Sequence, residues 1–142
     1  KLHGVYDQLK KTYQNVSMTV CSDHGMVPLT ETVDIQAILN SYRPLQASEY
    51  SVILDSTMAR FYPMSFEAEQ KIRSALSEAN GHFLTEQELV EHQCNFNGKY
   101  GSLIFLVNEG VQISPSHMGR VPCNGMHGYD PSIPDMKACF IF

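Results

Sequence analysis

The sequence predicts an α/β domain, and three observations carry that reading. The chain opens on an amphipathic helical pattern that passes through one short turn into a run of strand formers. That run, Val16-Ser17-Met18-Thr19-Val20-Cys21, ends at Ser22-Asp23-His24-Gly25-Met26, so an acid and an imidazole sit where a strand stops. Leu103-Ile104-Phe105-Leu106-Val107 is a continuous apolar run, the pattern of a strand buried on both faces. Helix, turn and strand are half of a βαβ unit, and loops at strand ends are where open α/β sheets keep their ligands.

Each element follows from local chemistry. Leu2, Val5, Tyr6, Leu9 and Tyr13 recur at helical spacing, with Asp7, Lys10 and Lys11 elsewhere. Asn15 turns the chain into the strand expected over 16–22. Pro28 ends that region, and residues 32–39 fit a short helix or an extended segment equally. Tyr50 to Leu54 and Met58 to Tyr62 read as two strands joined by a hairpin turn at Asp55-Ser56-Thr57. Ser65 is placed to cap a helix whose apolar face is Ala68, Ile72, Ala75, Leu76 and Ala79, with Gly81 as its stop. His82 to Leu84 reads as a short strand, and Thr85-Glu86-Gln87-Glu88 is a capping box that opens a further helix. Asn108-Glu109-Gly110 turns the chain after the buried strand, and Val111 to Ile113 is expected to return along it. Residues 114–134 form a long loop rich in proline and glycine, of the kind that is often functional. A last strand is expected over Lys137 to Phe142.

Composition narrows the function classes. The 142 residues carry a formal net charge of −5, with basic residues scattered apart from Lys10-Lys11. Neutralising nucleic-acid phosphates needs clustered Lys and Arg, so no nucleic-acid surface is expected. No apolar run approaches the roughly 20 residues of a membrane span. Cys21 and Cys139 fall in predicted buried strands and read as small core hydrophobes. Cys94 and Cys123 fall in polar loops, where a disulfide between them is one open pairing. Asn15-Val16-Ser17 is an N-glycosylation sequon and tilts the location toward an extracellular, ectodomain or secretory-lumen setting.

The chemistry concentrates in two loops. Asp23 and His24 combine oxygen and nitrogen donors that suit zinc and similar ions. A second glycine-flanked histidine stands in Gly125-Met126-His127-Gly128-Tyr129-Asp130-Pro131. Two such loops about a hundred residues apart would form one site if they met at one sheet edge. The alternative for Asp23 is a strand-end turn in which its carboxylate caps backbone amides. Tyr129 reads as a packed ring. Asp130 reads as a turn former before Pro131, with a role behind a metal ligand as the alternative. His3, His82 and His92 read as surface or helix-face residues, and His117 and Cys123 fit no metal-ligand spacing.

Ser22-Asp23-His24-Gly25-Met26 together with His127-Gly128-Tyr129-Asp130 resembles the type I phosphodiesterase / nucleotide pyrophosphatase family of the alkaline phosphatase superfamily. Phe61-Tyr62-Pro63, Gly101-Ser102-Leu103-Ile104-Phe105-Leu106-Val107, and Pro131 through Asp135-Met136-Lys137-Ala138 extend the resemblance over nearly the whole chain. The resemblance implies a partial alkaline-phosphatase-like α/β sandwich. Residues 1–142 would be the C-terminal part of the catalytic domain, with a small α+β insertion over about residues 30–115. It implies two Zn2+ per complete site, with Asp23 and His24 as ligands of one and His127 of the other, and Asp130 as a candidate partner of a ligand. The implied substrate is a nucleotide or another phosphodiester. The family's Thr or Ser nucleophile and its remaining ligands have no counterpart here and are expected upstream, so the chain alone is expected to be inactive. Ligation uses neutral imidazoles, so activity is expected to favour neutral to alkaline pH. Open sheet edges in such a piece invite self-association. Other readings are a phosphomonoesterase or sulfatase of the same superfamily, or a non-catalytic binding module that kept the fold.

Overall fold

Helix α1 spans Leu2–Thr12 and leads to a short strand, β1 (Val20–Cys21), in a computed structural model that describes residues 1–94 and 97–142. After the Asp-His loop come β2 (Val27–Pro28), β3 (Glu31–Val33) and α2 (Ile35–Ser41). The middle of the chain gives β4 (Tyr50–Leu54), β5 (Met58–Pro63), α3 (Phe66–Ala75), β6 (Gly81–Phe83), α4 (Glu86–Glu91), β7 (Leu103–Val107) and β8 (Val111–Ile113). The end gives β9 (Gly125–Met126), a 3-10 turn over Pro134–Met136, and β10 (Phe140–Ile141). Residues 32–39, which fit strand or helix, are divided between β3 and α2, and Asp34 caps the helix through Ala37 N.

The largest sheet among the described residues is antiparallel, in the order β4-β5-β7-β6. Strand β7 lies between two neighbours and is buried along its whole length. Helix α3 is capped by Ser65 and lays Ala68 and Ile72 into the core. There Ile72 joins Phe61, Phe105, Leu76 and, from α2, Ile35 and Leu39. Burial of each large apolar side chain is worth roughly 1.5–3 kcal/mol, so this cluster holds the middle of the chain together.

Four expectations are corrected. Residues 111–113 do not return along β7, because both of its edges are already occupied by β5 and β6. They pair instead with β3, in parallel, with Val33 opposite Ile113. Helix α3 ends at Ala75, before Gly81, which opens β6 opposite Val107. The strand expected over 16–22 pairs only at Val20–Cys21, with Ile141 and Phe140. This ribbon is exposed, and α1 buries none of its own residues. Cys21 and Cys139 are therefore on the surface rather than in the core, and Cys94 and Cys123 are free and exposed as well.

Candidate metal centre

Strand pairing brings the two loops together. In the antiparallel pair β2–β9, Val27 stands opposite Met126 and Pro28 opposite Gly125. Followed one step further, that register sets the end of the Asp23-His24-Gly25-Met26 loop beside His127. The rings of His24 and His127 stack with centroids 3.7 Å apart and 17° between their planes. Residues separated by about a hundred positions thus share one edge.

The first loop is seated tightly. The backbone N–H of Gly25 donates to Met136 O at 2.9 Å. A side chain at Gly25 would place its Cβ 1.8 Å from Asp135 O and 3.0 Å from Lys137 O, so only glycine allows this approach to the 3-10 turn. Ser22 N donates to Cys139 O, and Cys139 N donates to Ser22 Oγ at 2.9 Å, which ties the other end of the loop to the segment before β10.

Asp23 and His24 point their donors at each other. His24 Nδ1 lies 2.7 Å from Gly25 O, so the neutral ring carries its hydrogen there and its lone pair on Nε2. That Nε2 is 3.5 Å from Asp23 Oδ2, and Asp23 Oδ1 accepts the His24 N–H at 3.0 Å. Two ligands of a tetrahedral zinc with bonds of about 2.0 Å stand about 3.3 Å apart. The Asp23–His24 spacing is of that size, so donor type and donor separation both fit a shared cation. Asp23 is strongly exposed and His24 about one-third exposed. Among the described residues, no group of three or more His, Cys, Asp and Glu is placed to hold an ion.

The second loop is held by the middle of the chain. Thr57 Oγ1, from the β4–β5 hairpin turn, donates to Gly128 O at 2.8 Å. Tyr129 is buried and donates its hydroxyl to Val111 O at 2.8 Å; burial pushes the phenol up to about 12. Asp130 accepts from Ser132 N at 2.8 Å and lies 3.2 Å from His92 Nε2. The bonds from Ser132 come first, and with the nearby His92 they hold the Asp130 carboxyl below its usual range. The carboxylate thus engages Ser132 and His92. His92, read from the sequence as a surface or helix-face residue, is mostly covered and reaches this loop from the end of α4. Neither Thr57 nor His92 carries a sequence signal toward the site, since their partners are 71 and 38 residues away. His117 lies elsewhere, with Nδ1 2.8 Å from Leu54 O and Nε2 3.3 Å from Asp55 Oδ1.

The profile of the type I phosphodiesterase / nucleotide pyrophosphatase family matches residues 2–130, and the chain belongs to that family. A comparison with curated protein sequences finds no match. Among solved structures, the chain is similar to human ectonucleotide pyrophosphatase / phosphodiesterase 5, with a TM-score of 0.72 and 23% identity over 99% of this chain. It is similar to an inactive form of the murine protein solved with AMP, with a TM-score of 0.71 and 24% identity over 98% of this chain. Phosphonoacetate hydrolase from Sinorhizobium meliloti, solved with phosphonoacetate, gives a TM-score of 0.61 and 18% identity over 87% of this chain. The fold is thus a partial alkaline-phosphatase-like one. The chain spans 37% of the length of the human and murine proteins.

Proposed function

We propose that this chain forms part of the active site of a zinc-dependent phosphodiesterase or nucleotide pyrophosphatase. The observation that carries the reading is the convergence of Asp23, His24 and His127 at one edge through the β2–β9 pair. Asp23 and His24 would hold one ion and His127 a second. When bound, such ions stabilise charge on the phosphoryl oxygens and activate the attacking group.

This chain's own residues hold the donors in place. The bond from His24 Nδ1 to Gly25 O keeps the Nε2 lone pair toward Asp23. The 3-10 turn behind Gly25 fixes the loop, and Thr57, Tyr129 and Asp130 fix the one that bears His127. The attacking Thr or Ser and the remaining ligands are proposed to come from outside this chain, because three donors are too few for two sites that each take about four. Residues 30–115 are proposed to be an insertion between the two ligand loops. A nucleotide or another small phosphodiester is the proposed substrate class, in keeping with the AMP bound by the murine neighbour. The exposed sequon at Asn15 supports an extracellular or secretory-lumen location. No described helix is long and apolar enough to cross a membrane.

The test compares the full-length protein with its Asp23→Ala and His127→Ala forms on a chromogenic phosphodiester, with zinc counted per chain. Cleavage and zinc content are both expected to fall in each variant. Equal cleavage and equal zinc in all three would overturn the reading. Preference for phosphate monoesters or sulfate esters would move it elsewhere in the superfamily, and folding without zinc or turnover would mark a binding module.

A further inference from the structure

We infer that Thr57 is a positioning residue for His127, an inference that rests on the metal reading above. Thr57 lies in the hairpin turn between β4 and β5, far from both ligand loops in sequence, and is only 4% exposed. Its hydroxyl donates to Gly128 O at 2.8 Å, on the residue that follows His127. Gly128 has φ +91, a conformation that favours glycine, and a Cβ there would lie 2.9 Å from Thr57 Oγ1. The left-handed turn and the hydroxyl are therefore fitted to one another.

The turn that presents Thr57 is itself held from three sides. Asp55 N donates to Met58 O, Ile113 N to Ser56 O, and Val107 N to Thr57 O, at 2.8, 2.8 and 3.0 Å. Those bonds connect the hairpin to β8 and β7, so Thr57 transmits a rigid frame to the loop. A hydrogen bond to the backbone beside a ligand orients that ligand without touching the ion; loss of a partner bonded to the ligating side chain itself costs about 10–100-fold in metal affinity, so an effect near the low end of that range is expected here. Thr57 has this place relative to His127. The residue is buried while its Oγ1 donates to Gly128 O.

The experiment measures zinc affinity of the full-length protein by competition with a chelator, alongside thermal unfolding of the metal-free form. Thr57→Val keeps the shape and removes the donor. It is expected to weaken zinc binding by about 10-fold or more, and Thr57→Ser to restore it to within about 3-fold of the parent. Ile72→Val, on the core face of α3, is expected to lower thermal stability and leave zinc affinity unchanged. That comparison separates positioning from a general loss of stability. If Thr57→Val yields no folded protein, Thr57→Cys takes its place; its weak donor should give an affinity between Ser and parent-like binding and the loss expected for Val. Equal affinity of Ser and Cys would then overturn the inference. If His127→Ala weakens zinc binding and Thr57→Val does not, Thr57 has no positioning role and the metal reading survives. If His127→Ala leaves zinc affinity unchanged, both fall together.

Discussion

Replacing Gly25 by alanine tests whether the Asp23-His24 loop is seated as the structure shows. The added Cβ would lie 1.8 Å from Asp135 O and 2.7 Å from the carbonyl carbon of the same residue. Both are backbone atoms, so no side chain can swing aside. Opening the contact to about 3.0 Å, below which Cβ contacts essentially never occur, moves loop and turn apart by about 1.2 Å, the difference between 3.0 and 1.8 Å. That shift also breaks the 2.9 Å bond from Gly25 N to Met136 O. Overpacking costs about 1–3 kcal/mol and the lost bond about 1 kcal/mol, giving roughly 2–4 kcal/mol in all. Denaturant unfolding of the full-length protein should show a loss of that size in unfolding free energy. Gly4→Ala is the control. It lies in α1 with nothing within 4 Å of its added Cβ, and helix propensity there should raise stability by about 0.5–1 kcal/mol. Zinc content of Gly25→Ala should fall as well, because His24 moves with the loop. A Gly25→Ala protein whose unfolding free energy stays within about 0.5 kcal/mol of the parent and which keeps its zinc would refute the reasoning, since neither the clash nor the lost bond would then be real.

Tyr129→Phe leaves Val111 O buried without its 2.8 Å partner and should cost about 1–3 kcal/mol in denaturant unfolding. The same variant should change the alkaline behaviour. The phenol is raised in the folded state to about 12 from 10.0, so its contribution is present below pH 10 and lost as pH rises toward 12; the parent should lose stability relative to Tyr129→Phe across that window. Asp130 has the opposite sign. Its folded value is lowered from the ordinary 3.8, so its contribution is present above about pH 4 and disappears as pH falls below it; Asp130→Asn should flatten that acid loss, as followed by unfolding at stepped pH. The 142-residue chain by itself should self-associate through α1 and the β1–β10 ribbon, where Leu2, Val5, Phe140 and Ile141 are more than half exposed; light scattering that reports a monomer at high concentration would count against this. Secretion from eukaryotic cells should place a glycan on Asn15, seen as a mass shift removed by Asn15→Gln, and an unmodified secreted protein would remove that support for the location.

Much of the fold is legible in the residues because its signals are local. Ser65 and Thr85 cap the helices their patterns announce, and the Asp55-Ser56-Thr57 turn joins the two strands that flank it. What local pattern leaves open is which edges are already taken. Val111 to Ile113 look like a strand, but their partner depends on the order β5-β7-β6, a property of the whole sheet. Cys21 and Cys139 look buried because they stand among apolar residues, whereas burial depends on what covers the ribbon. Asp23, His24 and His127 are visible as residues beside glycines, and their meeting requires the β2–β9 register. Thr57 and His92 are invisible, since a threonine in a turn and a histidine at a helix end carry no mark of their partners.

The middle of the chain therefore supports the site as well as separating its two loops. Gly128, Tyr129 and Asp130 follow His127 directly, and each is held by a different part of the block between β3 and β8. Thr57 on the β4–β5 turn holds the first, Val111 on β8 the second, and His92 at the end of α4 the third. The first two anchors stand on elements tied to the β7 and β8 strands, whose Phe105 and Ile113 lie in one buried cluster with Phe61. Local opening of that core frees those two anchors together, because packed elements open as a cooperative unit rather than bond by bond. The geometry of His127 is thus coupled to burial in a region that contains none of the three candidate ligands. Variation in the block would reach the candidate site through these three bonds, and variation on the exposed β1–β10 ribbon would reach it through Ser22 and the Gly25 seat.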